Sequence, residues 1–173
     1  MKGALGGGAL ALLGSIAMSA LKNYQAGAAP SSEEIARDAP LGLREPQTPA
    51  EEEELDRKAG LVLQAMINAA KADGQIDGTE VQRIVGKLQE AGADQEARAF
   101  VMAEMRKPLD LEGLMRQVRT PEVAAEVYAA SLLAIEVDTP AERDYLIRLA
   151  NGLGLDRATV QRIHQIMSTP AAA

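Results

Sequence analysis

Six carboxylates fall at two matching places in this chain. Asp73, Asp77 and Glu80 lie within Ala72-Asp73-Gly74-Gln75-Ile76-Asp77-Gly78-Thr79-Glu80. Glu136, Asp138 and Glu142 lie within Ile135-Glu136-Val137-Asp138-Thr139-Pro140-Ala141-Glu142. Carboxylate oxygens are hard ligands and suit Ca²⁺, Mg²⁺ or Mn²⁺. Brought together, the two turns would make one divalent-cation site.

The same residues can also cap helices. Thr139-Pro140-Ala141-Glu142 has full capping-box spacing, and Asp77-Gly78-Thr79-Glu80 has it with Asp in place of Ser or Thr. One good cap contributes about 1 kcal/mol. Capping leaves Asp73, Glu136 and Asp138 without a role. The first turn also resembles the later part of an EF-hand loop. With Gly74 at the loop's glycine, Asp73, Asp77 and Glu80 take the fifth, ninth and twelfth positions. The first and third then fall on Ala69 and Lys71, which cannot serve. A cation here would need the second turn, through Glu136, Asp138 and Glu142.

Other chemistries find little support. The chain has no cysteine, so thiolate catalysis, thiolate metal ligands and disulfides are excluded. His164 is the single histidine and reads as a surface or half-buried residue. Ser31 and Ser32 have no histidine partner nearby, so no Ser-His-Asp arrangement is expected. No glycine-rich loop follows a strand, which removes a nucleotide fingerprint. Net charge is −7, from 18 basic and 25 acidic residues, with no basic stripe. Nucleic-acid binding is not expected. The reading is of a non-enzymatic protein.

Positioning the acidic turns falls to helices. Only one Phe, three Tyr and no Trp are present, so Ala, Leu, Ile, Val and Met must build the core. That palette suits close helix-on-helix packing. Thr48-Pro49-Ala50-Glu51 reads as a helix start, with Glu51 to Glu54 as a solvated first turn. Leu61 to Ala70 is apolar almost all round and predicts a central, buried helix. Asn68 interrupts it and reads as a buried amide with internal partners. Further helices are predicted over about 77–91, 94–107, 110–119, 120–135, 139–153 and 156–167. No stretch alternates with period two, so no sheet is expected.

Two halves share one plan. Aligning Glu80 with Glu142 brings Gly92-Ala93-Asp94 onto Gly154-Leu155-Asp156. Each half is a buried helix, an acidic turn, an amphipathic helix, Gly-x-Asp and another amphipathic helix. The symmetry predicts the two buried helices packed at the centre, with both acidic turns at their ends.

Ahead of this domain, residues 3–21 read GALGGGALALLGSIAMSAL, without a charge, between Lys2 and Lys22. Their length nearly matches the ~20 residues that cross a bilayer. Small residues at these spacings allow close helix approach in lipid. A signal peptide ending near Ala26-Gly27-Ala28 and a soluble Gly/Ala-rich tail are the competing readings. Residues 26–47 are rich in Ala, Pro, Ser, Glu and Asp and read as a flexible tether. The expected organisation is an apolar segment over 1–25, the tether over 26–47, a helical domain over 48–168 and a tail over 169–173.

Two stretches carry a family resemblance. MINAAKADGQID (66–77) followed by Glu80, and ASLLAIEVDTPAERDYL (130–146), resemble the family represented by the inner-membrane protein YebE. That family is similar in turn to the TerB-like domains of tellurite-resistance systems. The glycine-rich apolar start and Asn23-Tyr24-Gln25 fit it as well. The resemblance implies an all-α, TerB-like bundle of about seven helices with pseudo-repeated halves. It also implies a bacterial inner-membrane location and a part in envelope or chemical-stress responses. It implies metal binding through Asp73, Asp77, Glu80, Asp138 and Glu142, with Glu136 where relatives often carry Asp. The resulting expectation is a membrane-tethered binding or scaffold module, open to a protein partner or to self-association. The alternative is a structural interaction domain whose acids only cap helices.

Overall fold

A computed structural model describes residues 7–21, 44, 46–74, 82, 86 and 95–168. Its helices are α1 (Gly7–Leu21), α2 (Pro49–Ala70), α3 (Gln95–Met105), α4 (Leu111–Gln117), α5 (Pro121–Ala134), α6 (Pro140–Gly152) and α7 (Arg157–Ser168). No strand appears among the described residues, so the all-α expectation holds. The helix expected over about 77–91 lies outside the described residues, apart from Gln82 and Gly86, which are helical. The predicted tail, 169–173, lies outside them entirely.

Local chemistry sets the helix boundaries. Thr48 caps α2 by accepting from Glu51 N–H, with Pro49 in the first turn. Glu51 reaches back to the Gln47 N–H at 2.7 Å and pairs with Arg44. Asp110 and Thr120 cap α4 and α5 in the same way. At the end of α6 the chain turns through Gly154 at φ +68°, a left-handed conformation that glycine adopts without a Cβ clash. Leu155 N–H then bonds Ala150 O and Gly154 N–H bonds Asn151 O, the paired bonds of a Schellman turn. Two residues later Asp156 caps α7 through Thr159 N–H at 2.6 Å. The Gly154-Leu155-Asp156 motif is thus a stop and a start in three residues.

α2 and α5 form the most extensive helix pair. Leu63, Ile67, Val127, Ala129 and Ala130 in this pair have 0–1 % exposure. Alanine-rich faces let the backbones come close, as the composition predicts. Along the interface, Lys58 pairs with Glu126, and Ala65 O accepts from Ser131 Oγ. Contacts advance in step along both chains, so the two helices run parallel. Tyr145 of α6 also donates to Ala65 O, fastening a third helix at that level.

α1 packs against α5 and α7. Leu13, Ile16, Ala17 and Ala20, spaced one helical face apart, are buried in the same core as α2 and α5. Ser15 and Ser19 are exposed. Arg162 of α7 donates through Nε to Ala20 O near the end of α1. At ~1.5 Å per residue the described part of α1, residues 7–21, is about 22 Å long, against the ~30 Å of a bilayer's hydrocarbon core. Among the described residues, no helix is long and apolar enough to cross a membrane.

Candidate functional site

Parallel packing brings both acidic turns to one end of the central pair. From the shared Ala65–Ser131 level, α2 runs on to Ala70 and α5 to Ala134. At ~1.5 Å per residue these are short extensions of about 7 and 4 Å. The turns 71–74 and 135–139 therefore leave the pair in the same direction. This is the arrangement that the repeat predicts for the two helix ends.

At the first turn, Lys71, Ala72 and Gly74 N–H groups close onto carbonyls of the last helical turn. Gly74 has φ +86°, which favours glycine there. Asp73 is exposed. Asp77 and Glu80 lie outside the described residues.

At the second turn, Glu136 and Asp138 are exposed, whereas Glu142 is 5 % exposed. Glu142 Oε2 accepts from Thr139 N–H and Thr139 Oγ1, both at 2.8 Å, and from Asp138 N–H at 3.2 Å. Thr139 Oγ1 accepts in return from Glu142 N–H. This is the capping box that the spacing predicts. Burial pushes the Glu142 carboxyl up, but the hydrogen bonds from Thr139 and Asp138 outweigh it and hold its pKa below the ordinary value. Arg143 Nη1 donates to Asp138 O and braces the turn from outside. Asp138 and Glu142 thus share one turn, with Asp73 on the other turn at the same end of the central pair. Among the described residues, no group of three or more His, Asp or Glu side chains gathers closely enough to hold a metal ion.

Beside the first turn lies a polar cleft of about 250 Å³ that the sequence does not announce. Lys71 Nζ reaches across it to Glu104 O and Lys107 O, each at 2.6 Å, capping the end of α3. Burial lowers the Lys71 pKa, against the opposing pull of Glu104. Asn68 is 7 % exposed and its Nδ2 donates to Asp110 O at 3.3 Å. It is the buried, internally partnered amide that its place in an apolar run predicts. Gln64 bridges Glu104 and Gln117, each at 3.4 Å. The described polar groups of the cleft satisfy one another, and they tie α2 to the α3–α4 connection.

His164 is half-buried, and its Nε2 lies 3.0 Å from the Tyr128 hydroxyl. Burial lowers its pKa.

One buried charged pair was not anticipated from the sequence. Lys58 Nζ lies 2.7 Å from Glu126 Oε1, with both side chains buried. Glu126 Oε2 meets no hydrogen-bond donor among the described residues. Burial raises the Glu126 pKa, and Lys58 opposes that shift. The available signal was positional. Glu126 stands inside the apolar run 123–135, and Lys58 precedes Ala65 by two turns on the buried face of α2.

The architecture is an all-helical bundle with two parallel central helices among the described residues. Residues 1–167 match the model of a family described as "Protein of unknown function (DUF533)", and the chain belongs to that family. It is similar to an "Uncharacterized protein in ampR 5'region" of Yersinia enterocolitica, at 31 % identity over 121 residues. That match covers 70 % of this chain and 87 % of the relative. No solved structure matches.

Proposed function

We propose that this chain is a non-enzymatic, TerB-like binding module, tethered to the bacterial inner membrane through residues 3–21. In this reading the two acidic turns share one divalent cation, Ca²⁺, Mg²⁺ or Mn²⁺. Asp73, Asp77 and Glu80 face it from the first turn, and Glu136 and Asp138 from the second. Glu142 contributes by fixing the second turn, since its Oε2 is committed to the cap. The carrying observation is the parallel packing of α2 and α5, which favours a shared site over two separate ones. The uncharged stretch 3–21 supports the tether. A place in envelope or chemical-stress responses follows only from the resemblance to YebE and TerB-like proteins.

The capping box favours a second reading, in which the acids only start helices and the domain serves protein–protein interaction. A thermal melt separates the two. Chelator-stripped full-length protein is titrated with Ca²⁺, Mg²⁺ and Mn²⁺ in turn. A cation at ~100 times its Kd adds about 2.7 kcal/mol, a shift of several degrees. The shift should vanish in Asp73→Asn and in Asp138→Asn separately. No shift with any of the three ions would refute the cation site and leave the capping reading.

A further inference from the structure

Among the described side chains of α1, the bundle buries apolar residues that would otherwise enter a membrane. Leu13, Ile16, Ala17 and Ala20 face α5 and α7 with 0–8 % exposure, and Ser15 and Ser19 face out. Residues 7–21 carry no charge, and the uncharged stretch 3–21 would reach nearly 30 Å as one helix, close to a bilayer's hydrocarbon core. The exposed serines are no bar to lipid, because a helical Ser hydroxyl can bond back to the carbonyl one turn earlier.

We propose that α1 is a captive anchor: the α5–α7 face and a lipid bilayer compete for the same helix. The inference rests on the membrane-tether reading and adds that attachment requires α1 to leave the bundle. Chain length permits it. Twenty-two residues, 22–43, lie between α1 and the Arg44–Glu51 contact at the start of α2, a contour of up to about 75 Å, so chain length lets α1 depart without dragging α2. The hydrogen bond from Arg162 to Ala20 O must break on departure. Net charge of −7 gives no attraction to anionic lipid, so apolar insertion would drive the exchange.

Three full-length proteins test this on neutral phosphatidylcholine vesicles: wild type, Ala17→Leu and Ser15→Leu. Both leucines make α1 more apolar. Only the one at Ala17, which has 0 % exposure, has no room in the bundle. If the bundle holds α1 in all but a small fraction of molecules, evicting it raises apparent vesicle affinity by the inverse of that fraction. The expected result is sedimentation with vesicles at least about ten-fold tighter for Ala17→Leu than for Ser15→Leu. Equal partitioning of the two variants overturns the competition and leaves the tether intact. No partitioning by any of the three overturns the tether and the inference with it. Should Ala17→Leu fail to fold, hydrogen exchange on the wild type decides. Vesicle-bound protein should lose amide protection in α7, and unchanged protection there overturns the proposal.

Discussion

Removing one member of the Lys58–Glu126 pair should be among the most damaging single changes this protein can suffer. Lys58 is 6 % exposed, Glu126 is fully enclosed, and their charges lie 2.7 Å apart between α2 and α5. In Glu126→Leu the buried ammonium loses the carboxylate 2.7 Å away, which costs about 3–5 kcal/mol. That is a large share of the roughly 5–15 kcal/mol that holds a domain together. At about 3 °C per kcal/mol for a chain of this size, Tm should fall by ~9–15 °C. In the double variant Lys58→Met/Glu126→Leu, apolar groups fill the space, and stability should return to within about 1 kcal/mol of wild type. Urea unfolding of all four proteins, with slopes compared, gives the coupling energy directly. Lys58→Met alone carries a pH signature. Its remaining Glu126 has a folded pKa raised by burial, so the folded state takes up the proton before the unfolded state does. Its contribution is fully present below the unfolded pKa and is lost as pH rises through the folded one, so Lys58→Met should be more stable in mild acid than at neutrality. A single-variant cost under ~1 kcal/mol would show that water reaches the pair and refute the argument. So would a double variant as unstable as Glu126→Leu.

The second acidic turn offers a matched comparison. Glu142→Gln keeps an acceptor for Thr139 and should cost under ~1 kcal/mol, whereas Glu142→Ala loses the cap and should cost about 1–2 kcal/mol by urea unfolding. Because the Glu142 pKa is lowered in the fold, its contribution is present above the unfolded value and is lost as pH falls through the folded one. Glu142→Gln should therefore flatten the loss of stability on acidification below about pH 4.5, as followed by thermal melts across that range. Gly154→Ala places a Cβ at φ +68° and should lower stability by ~1–2 kcal/mol, with amide exchange accelerated first at Leu155 and Gln161 around the α6–α7 junction.

Helix boundaries were legible because they rest on neighbours in sequence. Thr48, Thr120 and Thr139 each precede a proline and accept from an N–H three residues on, and the spacing alone announces that bond. Gly154 and Asp156 likewise mark a stop and a start whose partners lie within a few residues. The central helix pair was legible from apolar density over Leu61–Ala70 and Val123–Ile135.

Contacts between distant residues depended on the fold. That α2 and α5 run parallel follows from two distant contacts advancing together, Lys58 with Glu126 and Ala65 with Ser131, the latter 66 positions apart. The buried Lys58–Glu126 pair and the cleft joining Gln64 and Asn68 to the α3–α4 connection are likewise set by packing, which has no local period to betray it. The apolar stretch 3–21 shows the division most plainly. Its lack of charge determined that it would seek an apolar environment. Only the tertiary structure, by offering the alanine-lined surface of α5 beside α7, put that environment inside the bundle for Leu13, Ile16, Ala17 and Ala20, because a close fit of small side chains satisfies the same demand as lipid.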